Sequence, residues 1–198
     1  MTFYAAQHET NRQNDNRPQL NLSVRETLTD KKENDMTISD LGFEFNDGGR
    51  EEAGFKGNAG DCVTRAIAIA EDRDYMEVRD DLMNRMKKFR EKSRSRAARH
   101  RKSNSVRNGT PKEVYRPYLE SRGWKRTALQ KFGSSNRKYM KMSDLPLGVV
   151  IVEQRKHVAT VIDHSLQDTW DSRLSNAWLN GSPTNVKTCR CVNAIWTK

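Results

Sequence analysis

Cys62 is the residue of this chain best suited to act as a nucleophile. It follows Asp61, a residue type that favours helix N-caps, and it begins an Ala- and Ile-rich run typical of a buried helix. A sulfur in the first turn of a helix lies beside unpaired backbone N–H groups, which favour thiolate over thiol and can hold an oxyanion. Arg65, one turn further on, is expected to add to this effect. The competing interpretation is a small apolar side chain in a core helix, the commoner role of an unpaired cysteine.

His157 is the residue expected to serve as the base. It begins the segment HVATVID, whose β-branched residues predict a strand, and it follows three polar residues. A histidine at the start of a strand can extend beyond the sheet towards a helix N-terminus packed there. Thiolate and imidazole partners are neighbours in space rather than in sequence, so the long separation from Cys62 is no obstacle. An exposed histidine with no catalytic role is the alternative.

A carboxylate is expected to orient the imidazole, and Asp163, Asp168 and Asp171 are the candidates. A two-residue turn at Asp163 and His164 would put Asp168 on the same face of the sheet as His157. A turn longer by one residue would instead put Asp171 opposite the histidine. Asp163 lies too far along the same strand. We therefore predict Asp168 and keep Asp171 as the alternative.

The elements that must position these residues are helices first and strands afterwards. Three helices are predicted, beginning near Asp61, Asp74 and Thr110, each introduced by a residue type that favours N-caps. A short strand of alternating apolar residues (41–45) precedes them, and a Gly-rich loop follows it, in which Asn58 is a candidate side-chain donor to the oxyanion. The later strands are predicted at 149–154, 157–163, 167–170 and 190–196. This order predicts an α+β fold with a small antiparallel sheet.

Composition restricts the class of protein. The 198 residues suffice for one domain, predicted at 41–198, after a polar leader (1–40) expected to be disordered or loosely docked. No apolar run is long enough for a membrane span, and the first thirty residues lack the pattern of a secretory signal. Three cysteines are too few for a disulfide scaffold, and no Cys/His spacing is typical of a zinc site, so we predict a cytoplasmic protein without metal or cofactor.

The net charge of +10 is concentrated in one stretch, residues 87–107, which contains ten Lys and Arg against a single acid, Glu91. Such a stretch is expected to bind phosphate backbones or an acidic protein, with an affinity that falls as salt rises. A single aromatic residue, Phe89, gives no support for base stacking. A solvated helix end running into a loop is an equally good interpretation. The candidate binding residues are Lys87, Lys88, Arg90, Arg94, Arg96, Arg99, Arg101 and Lys102.

A cysteine at a helix start, followed by a histidine and a carboxylate on neighbouring antiparallel strands, resembles the papain-like cysteine peptidase superfamily. That superfamily includes transglutaminase-like proteins, peptidoglycan amidases and bacteriocin-processing peptidases. More narrowly, three segments resemble an uncharacterised family of bacteria and their viruses: NDGGREEAGFKGNAGDCVTRAIAIA (46–70), HVATVIDHSLQDTWD (157–171) and RCVNAIW (190–196). The resemblance implies a papain-like fold, with Cys62 as nucleophile, His157 as general base and acid, and Asp168 as the orienting group. A viral source would imply the host cytoplasm. No substrate follows from the resemblance.

Two functions are therefore expected from the sequence. The first is a thiol-dependent hydrolase or acyl transferase that acts on a peptide, isopeptide or amide bond of a protein or peptide substrate. The second is a catalytically inactive papain-like scaffold that binds nucleic acid or an acidic protein through its basic stretch.

Overall fold

The computed structural model describes residues 39–129, 137–179 and 182–198. The chain divides into two units, Met1–Asp35 and Met36–Lys198, and all described residues belong to the second. The predicted leader thus lies outside the described residues except at its end. There Ser39 Oγ donates a hydrogen bond to the Met140 carbonyl, so the last residues of the predicted leader are attached to the folded unit.

The described residues form four helices and ten strands, a mixed α+β composition as predicted. The helices are α1 (Cys62–Glu71), α2 (Tyr75–Lys92), α3 (Arg96–Arg99) and α4 (Lys112–Ser121). The strands are β1 (Gly42–Phe45), β2 (Lys125–Ala128), β3 (Lys138–Tyr139), β4 (Val149–Gln154), β5 (His157–Ile162), β6 (Ser165–Asp168), β7 (Leu174–Leu179), β8 (Ser182–Cys189), β9 (Cys191–Val192) and β10 (Ala194–Thr197).

Six of the strands form one sheet in the order β1-β6-β5-β4-β10-β2. All of its neighbouring strands are antiparallel except β1 and β6, which are parallel. Two further pairs, β3 with β9 and β7 with β8, are antiparallel as well. The mostly antiparallel sheet was predicted, but the parallel partner of β1 was not, because nothing local in a four-residue strand specifies a partner more than a hundred residues away.

The β5–β6 hairpin has the two-residue turn that the sequence predicts. Asp163 and His164 both have positive φ, 45° and 62°, and Ile162 pairs with Ser165. Asp and other short polar residues tolerate this left-handed backbone conformation better than most, which permits so tight a turn. Because pairing resumes directly after the turn, β6 lies two residues earlier than the predicted strand 167–170. The same register brings Asp168 towards the start of β5.

The helices cover one face of the sheet. One hydrophobic cluster joins α1, α2 and α4 to Ile151, Val158 and Trp196, and a second cluster occupies the opposite face. A buried hydrogen bond from Thr160 Oγ1 to the Ala66 carbonyl, 2.6 Å long, ties α1 to β5. The helix that begins with the cysteine is thereby held against the strand that begins with the histidine.

The predicted side-chain cap is found at the start of α2 but not at the start of α4. The Asp74 carboxylate accepts a hydrogen bond from the Glu77 N–H at 3.0 Å, which confirms the predicted N-cap. Thr110 does not cap α4. Pro111 keeps an extended conformation (ψ 152°), so the helix begins at Lys112, one residue later than expected. The Thr110 hydroxyl is buried and has no hydrogen-bond partner among the described residues.

Glu153, on the central strand β4, is a buried carboxylate that connects three other elements. It accepts hydrogen bonds from Arg116 of α4, Arg126 of β2 and Trp196 of β10. Burial raises the pKa of this carboxyl, but the hydrogen bonds from Arg126, Arg116 and Trp196 outweigh it, and the pKa is lowered below its ordinary value of 4.5. The ionised form therefore stabilises the fold above about pH 4.5, and this contribution is lost as the pH falls through the lowered pKa.

Replacing Glu153 by Gln is expected to lower the free energy of unfolding by about 2 kcal/mol near neutral pH. Breaking a fully buried pair costs about 3–5 kcal/mol, and the loss is smaller here because the side chains of Arg116 and Arg126 are 30% and 26% exposed. The variant should also lose less stability than the wild type on acidification. Urea unfolding near pH 7 and pH 4 measures both effects, with the exposed Glu120→Gln as the control. Equal stability of Glu153→Gln and wild type near pH 7 would contradict this role.

Candidate active site

Cys62 is the first residue of α1 and is half-buried at its N-terminal end. The first intrahelical hydrogen bond runs from the Arg65 N–H to the Asp61 carbonyl, so the N–H groups of residues 62–64 have no acceptor within the helix. The sulfur lines the same cleft as His157 and Val158, and the His157 side chain and the Val158 backbone N–H both lower the pKa of the thiol. The predicted placement of a thiol at a helix start, beside an imidazole from a distant strand, is the arrangement found.

Asp61 occupies the N-cap position, but its carboxylate does not cap the helix. The side chain is 1% exposed and accepts hydrogen bonds from Arg50 Nε at 2.9 Å and Tyr75 Oη at 2.7 Å, and it also binds the Arg65 guanidinium. Two buried guanidinium groups attract a carboxylate more strongly than a backbone N–H does. The sequence therefore predicts the helix start correctly and the role of the Asp61 side chain wrongly. This cluster fixes the turn that carries Cys62.

His157 begins β5 and is 8% exposed. Its Nε2 lies 2.6 Å from Asp168 Oδ2, so Nδ1 is the ring nitrogen left to serve the thiol. The ring of Trp170 lies over the imidazole, with centroids 5.1 Å apart and planes inclined by 50°. Gln154, the partner of His157 in the β4–β5 hairpin, donates through Nε2 to the Ser172 carbonyl. The imidazole is thus held at its edge by a carboxylate and on its face by an indole.

Asp168 ends β6 with its carboxylate almost completely buried, at 4% exposure. Oδ2 accepts from His157 and, at 3.0 Å, from Ser172 Oγ, while Oδ1 accepts from the Thr169 N–H at 2.8 Å. Arg65 Nη2 stands 3.8 Å from Oδ1, so this guanidinium bridges Asp168 and Asp61. Donors on both oxygens fix the plane of the carboxylate relative to the imidazole.

The contacts shift the pKa values of the cysteine and the histidine in opposite directions. Burial raises the pKa of the Cys62 thiol, but the hydrogen bond and charge of His157, the Val158 N–H and the charge of Arg65 outweigh it, so the pKa falls below 9.0. Burial lowers the pKa of His157, but the Asp168 and Cys62 contacts outweigh it and raise the pKa to about 9. These shifts place the shared proton on His157 rather than on Cys62, which favours the thiolate–imidazolium pair over the neutral pair, and the thiolate is the form that attacks carbonyl carbon.

No family model, no curated protein and no solved structure matches this chain. Within residues 39–129, 137–179 and 182–198, no three His, Cys, Asp or Glu side chains are grouped so that they could hold a metal ion. No helix in this part of the chain is both long enough and apolar enough to cross a membrane.

The other two candidates from the sequence lie elsewhere. Asp171 binds the Arg173 guanidinium through both carboxylate oxygens, at 2.9 and 3.0 Å, while Asp168 is the carboxylate bonded to the imidazole. Asn58 is exposed and lines a neighbouring cleft of about 800 Å³, not the one that contains Cys62. The N–H groups at the start of α1 are therefore better placed than Asn58 to receive an oxyanion. Sequence reasoning missed Ser172, because nothing marks a serine beyond a strand end as a partner of that strand's carboxylate.

Cys62 and His157 open onto a cleft of about 540 Å³. Its lining includes residues from two segments, 108–112 at the start of α4 and 153–158 of the β4–β5 hairpin. The larger cleft that contains Asn58 is also lined by Trp170, whose ring contacts that of His157.

The predicted basic stretch is more ordered than a solvated loop. Its first part belongs to α2, and a short helix, α3, follows. Arg90 and Arg101 are half-buried and donate hydrogen bonds within or next to this stretch. Arg90 donates to the Arg101 carbonyl and to the Asn104 side chain. Arg101 donates to the Gly109 carbonyl. Of the eight candidate binding residues, six are exposed: Lys87, Lys88, Arg94, Arg96, Arg99 and Lys102.

Proposed function

We propose that this protein is a thiol-dependent hydrolase or acyl transferase of papain-like type that acts on a peptide, isopeptide or other amide bond. The observation that carries the proposal is the continuous line of contacts from the Cys62 sulfur through the His157 ring to the buried Asp168 carboxylate. A helix-terminal thiol paired with an oriented imidazole is the recurring arrangement of nucleophilic cysteine catalysis. The helix-then-sheet order and the three resembling sequence segments support a papain-like assignment.

The reaction would proceed in two steps. The Cys62 thiolate attacks the carbonyl carbon, the N–H groups at the start of α1 stabilise the oxyanion, and His157 gives its proton to the leaving amine as the C–N bond breaks. A thioester on Cys62 remains. His157 then takes a proton from water or from an acceptor amine, which attacks the thioester and releases an acid or a new amide together with the Cys62 thiolate. Asp168 accepts a hydrogen bond from the ring in both steps and holds it in place.

Iodoacetamide should alkylate Cys62 well before the other two cysteines near neutral pH. The pKa of Cys62 is lowered, whereas Cys189 is buried and the pKa of its thiol is raised to about 11. Cys191 is half-buried and carries no comparable histidine contact. Peptide mapping after partial alkylation measures the order of reaction. A thiol-reactive amide probe should then label the wild type and fail to label Cys62→Ala, and equal labelling of all three thiols would contradict the proposal.

A second function, binding without catalysis, is favoured by one observation: eight of the ten cations of the basic stretch are exposed. A catalytically inactive papain-like scaffold would bind nucleic acid or an acidic protein through them. It would show no preference among the three thiols. Its binding would weaken steeply with salt and would survive Cys62→Ala.

A further inference from the structure

The basic stretch leads to the nucleophile. Downstream of α3 the chain inserts Val106 into the hydrophobic cluster beneath the helices, where it is 2% exposed. The chain then returns through Arg107 and Asn108 against Gly60, two residues before Cys62. A Cβ built on Gly60 would lie 3.4 Å from the Arg107 carbonyl oxygen and from the Asn108 carbonyl carbon. The segment with the highest charge density of the chain is therefore continuous with the rim of the cleft.

The cleft itself has a positive surface. Lys112 and Lys156 both line the cleft and are exposed, and neither binds any side chain or backbone oxygen within the described part of the chain. Among the described residues, Glu153 is the only carboxylate that lines the cleft, and Arg116 and Arg126 neutralise it. Two ammonium groups without a counter-charge thus line the same cleft as the thiol.

We propose that the substrate of the Cys62 site is an acidic polypeptide segment. Lys112 and Lys156 would select Asp or Glu close to the bond that reacts, and the exposed cations between residues 87 and 107 would receive further carboxylates along the chain. This inference rests on the proposed function and adds the chemical class of the substrate. Complementary charge at a cleft raises both the encounter rate and the discrimination against basic partners.

A polypeptide fits this surface better than a nucleic acid does. The thiolate–imidazolium pair forms a thioester with an acyl carbon, which a polypeptide carries at every residue and a phosphodiester lacks. Single-stranded nucleic acids are held by stacking on exposed aromatic side chains, and the one aromatic residue of the basic stretch, Phe89, packs instead against the hydrophobic cluster of α1 and α2. A nucleic acid held only through its phosphates is the alternative that the experiment must exclude.

The test uses two peptidyl vinyl sulfones of one length, one with Glu and one with Gln on both sides of the electrophile. Intact mass measures the rate at which each alkylates Cys62 in the full chain. The wild type should react about tenfold faster with the Glu probe. Lys112→Gln and Lys156→Gln should each reduce this ratio about threefold, the size of one exposed ion pair, and the ratio should approach one when salt is raised from about 0.01 M to about 1 M. Lys125→Gln, an exposed lysine on β2, is the matched control.

The possible results distinguish a failure of the acidic-substrate preference from a failure of the proposed thiol chemistry. Equal rates with the two probes overturn the acidic preference even when iodoacetamide still selects Cys62. Loss of that selectivity overturns the proposed function instead. Equal probe rates together with salt-sensitive retention of Cys62→Ala on single-stranded oligonucleotide beads would assign the basic surface to nucleic acid. An unchanged ratio in both cleft-lysine variants would remove Lys112 and Lys156 from substrate selection.

Discussion

Replacing His157 by Ala should slow the alkylation of Cys62 by at least about tenfold near pH 6. In the wild type the hydrogen bond and the charge of His157 outweigh burial and lower the pKa of the thiol. In the variant only the Val158 N–H and Arg65 oppose burial, so the pKa returns to its ordinary value or above it. The thiolate fraction near pH 6 then becomes well below one per cent, and the lower intrinsic nucleophilicity of the wild-type thiolate offsets only part of this difference.

The full pH profile is more informative than one rate. The wild type should approach its full alkylation rate at a lower pH than a thiol of ordinary pKa does, because the pKa of Cys62 is lowered. A rise near pH 9 is expected, where the raised pKa of His157 places loss of the imidazolium proton. Turnover of an amide should instead fall above about pH 9, because the leaving amine needs that proton. His157→Ala should show a single rise at higher pH.

The control for this variant is His100→Ala, which removes an exposed histidine far along the chain from the site residues. Its alkylation profile should match the wild type. His157→Gln is a second variant that keeps a hydrogen-bonding side chain beside Asp168. If it slows alkylation as His157→Ala does, loss of folding is excluded as the cause of the effect. If Cys62 keeps its wild-type profile in both His157 variants, the imidazole does not lower the pKa of the thiol, and the catalytic proposal loses its main support.

What sequence reasoning predicts well here is local in the chain. The start of α1 follows from an N-cap residue type and the apolar run behind it, and the β5–β6 register follows from two turn residues that tolerate positive φ. Both predictions concern the candidate active site, because one places the thiol at a helix end and the other brings Asp168 to His157. The α+β order follows in the same way from the change of hydrophobic period along the chain.

What it predicts poorly depends on contacts between distant segments. The Asp61 carboxylate leaves its capping role because Arg50 and Tyr75, from other elements, surround it. The basic stretch looks like a loop by its charge, yet Ala98 and Val106 are buried. Two small apolar residues among ten cations give too weak a hydrophobic periodicity for the sequence to indicate that these side chains are buried. The capping failure of Thr110 has a local origin by contrast, because the extended backbone of Pro111 moves the helix start by one residue.

The second large effect is expected at Asp168, and it distinguishes this residue from Asp171, the alternative partner of the imidazole in the sequence analysis. Asp168→Ala should lower the pKa of His157 from about 9 by at least one unit, because the Asp168 hydrogen bond and charge raise it most among the groups in contact with the ring. Amide turnover should fall by about 10⁴, as in other triads that lose the orienting carboxylate. NMR titration of the histidine ring protons measures the first effect without any substrate. Asp171→Ala is the matched control, and it should leave the His157 titration unchanged because the Asp171 carboxylate binds Arg173.

Asp168→Asn refines this expectation, since asparagine serves as the third residue in some cysteine triads. An amide oxygen at the position of Oδ2 can accept from both His157 and Ser172. The amide nitrogen would then occupy the position of Oδ1, where it faces the Thr169 N–H and the Arg65 guanidinium, three donors without an acceptor. The variant should therefore orient the imidazole less well than the wild type and better than Asp168→Ala, with turnover between the two. Wild-type turnover in Asp168→Asn would show that orientation alone is required, whereas turnover as low as in Asp168→Ala would show that the negative charge beside the imidazolium is indispensable.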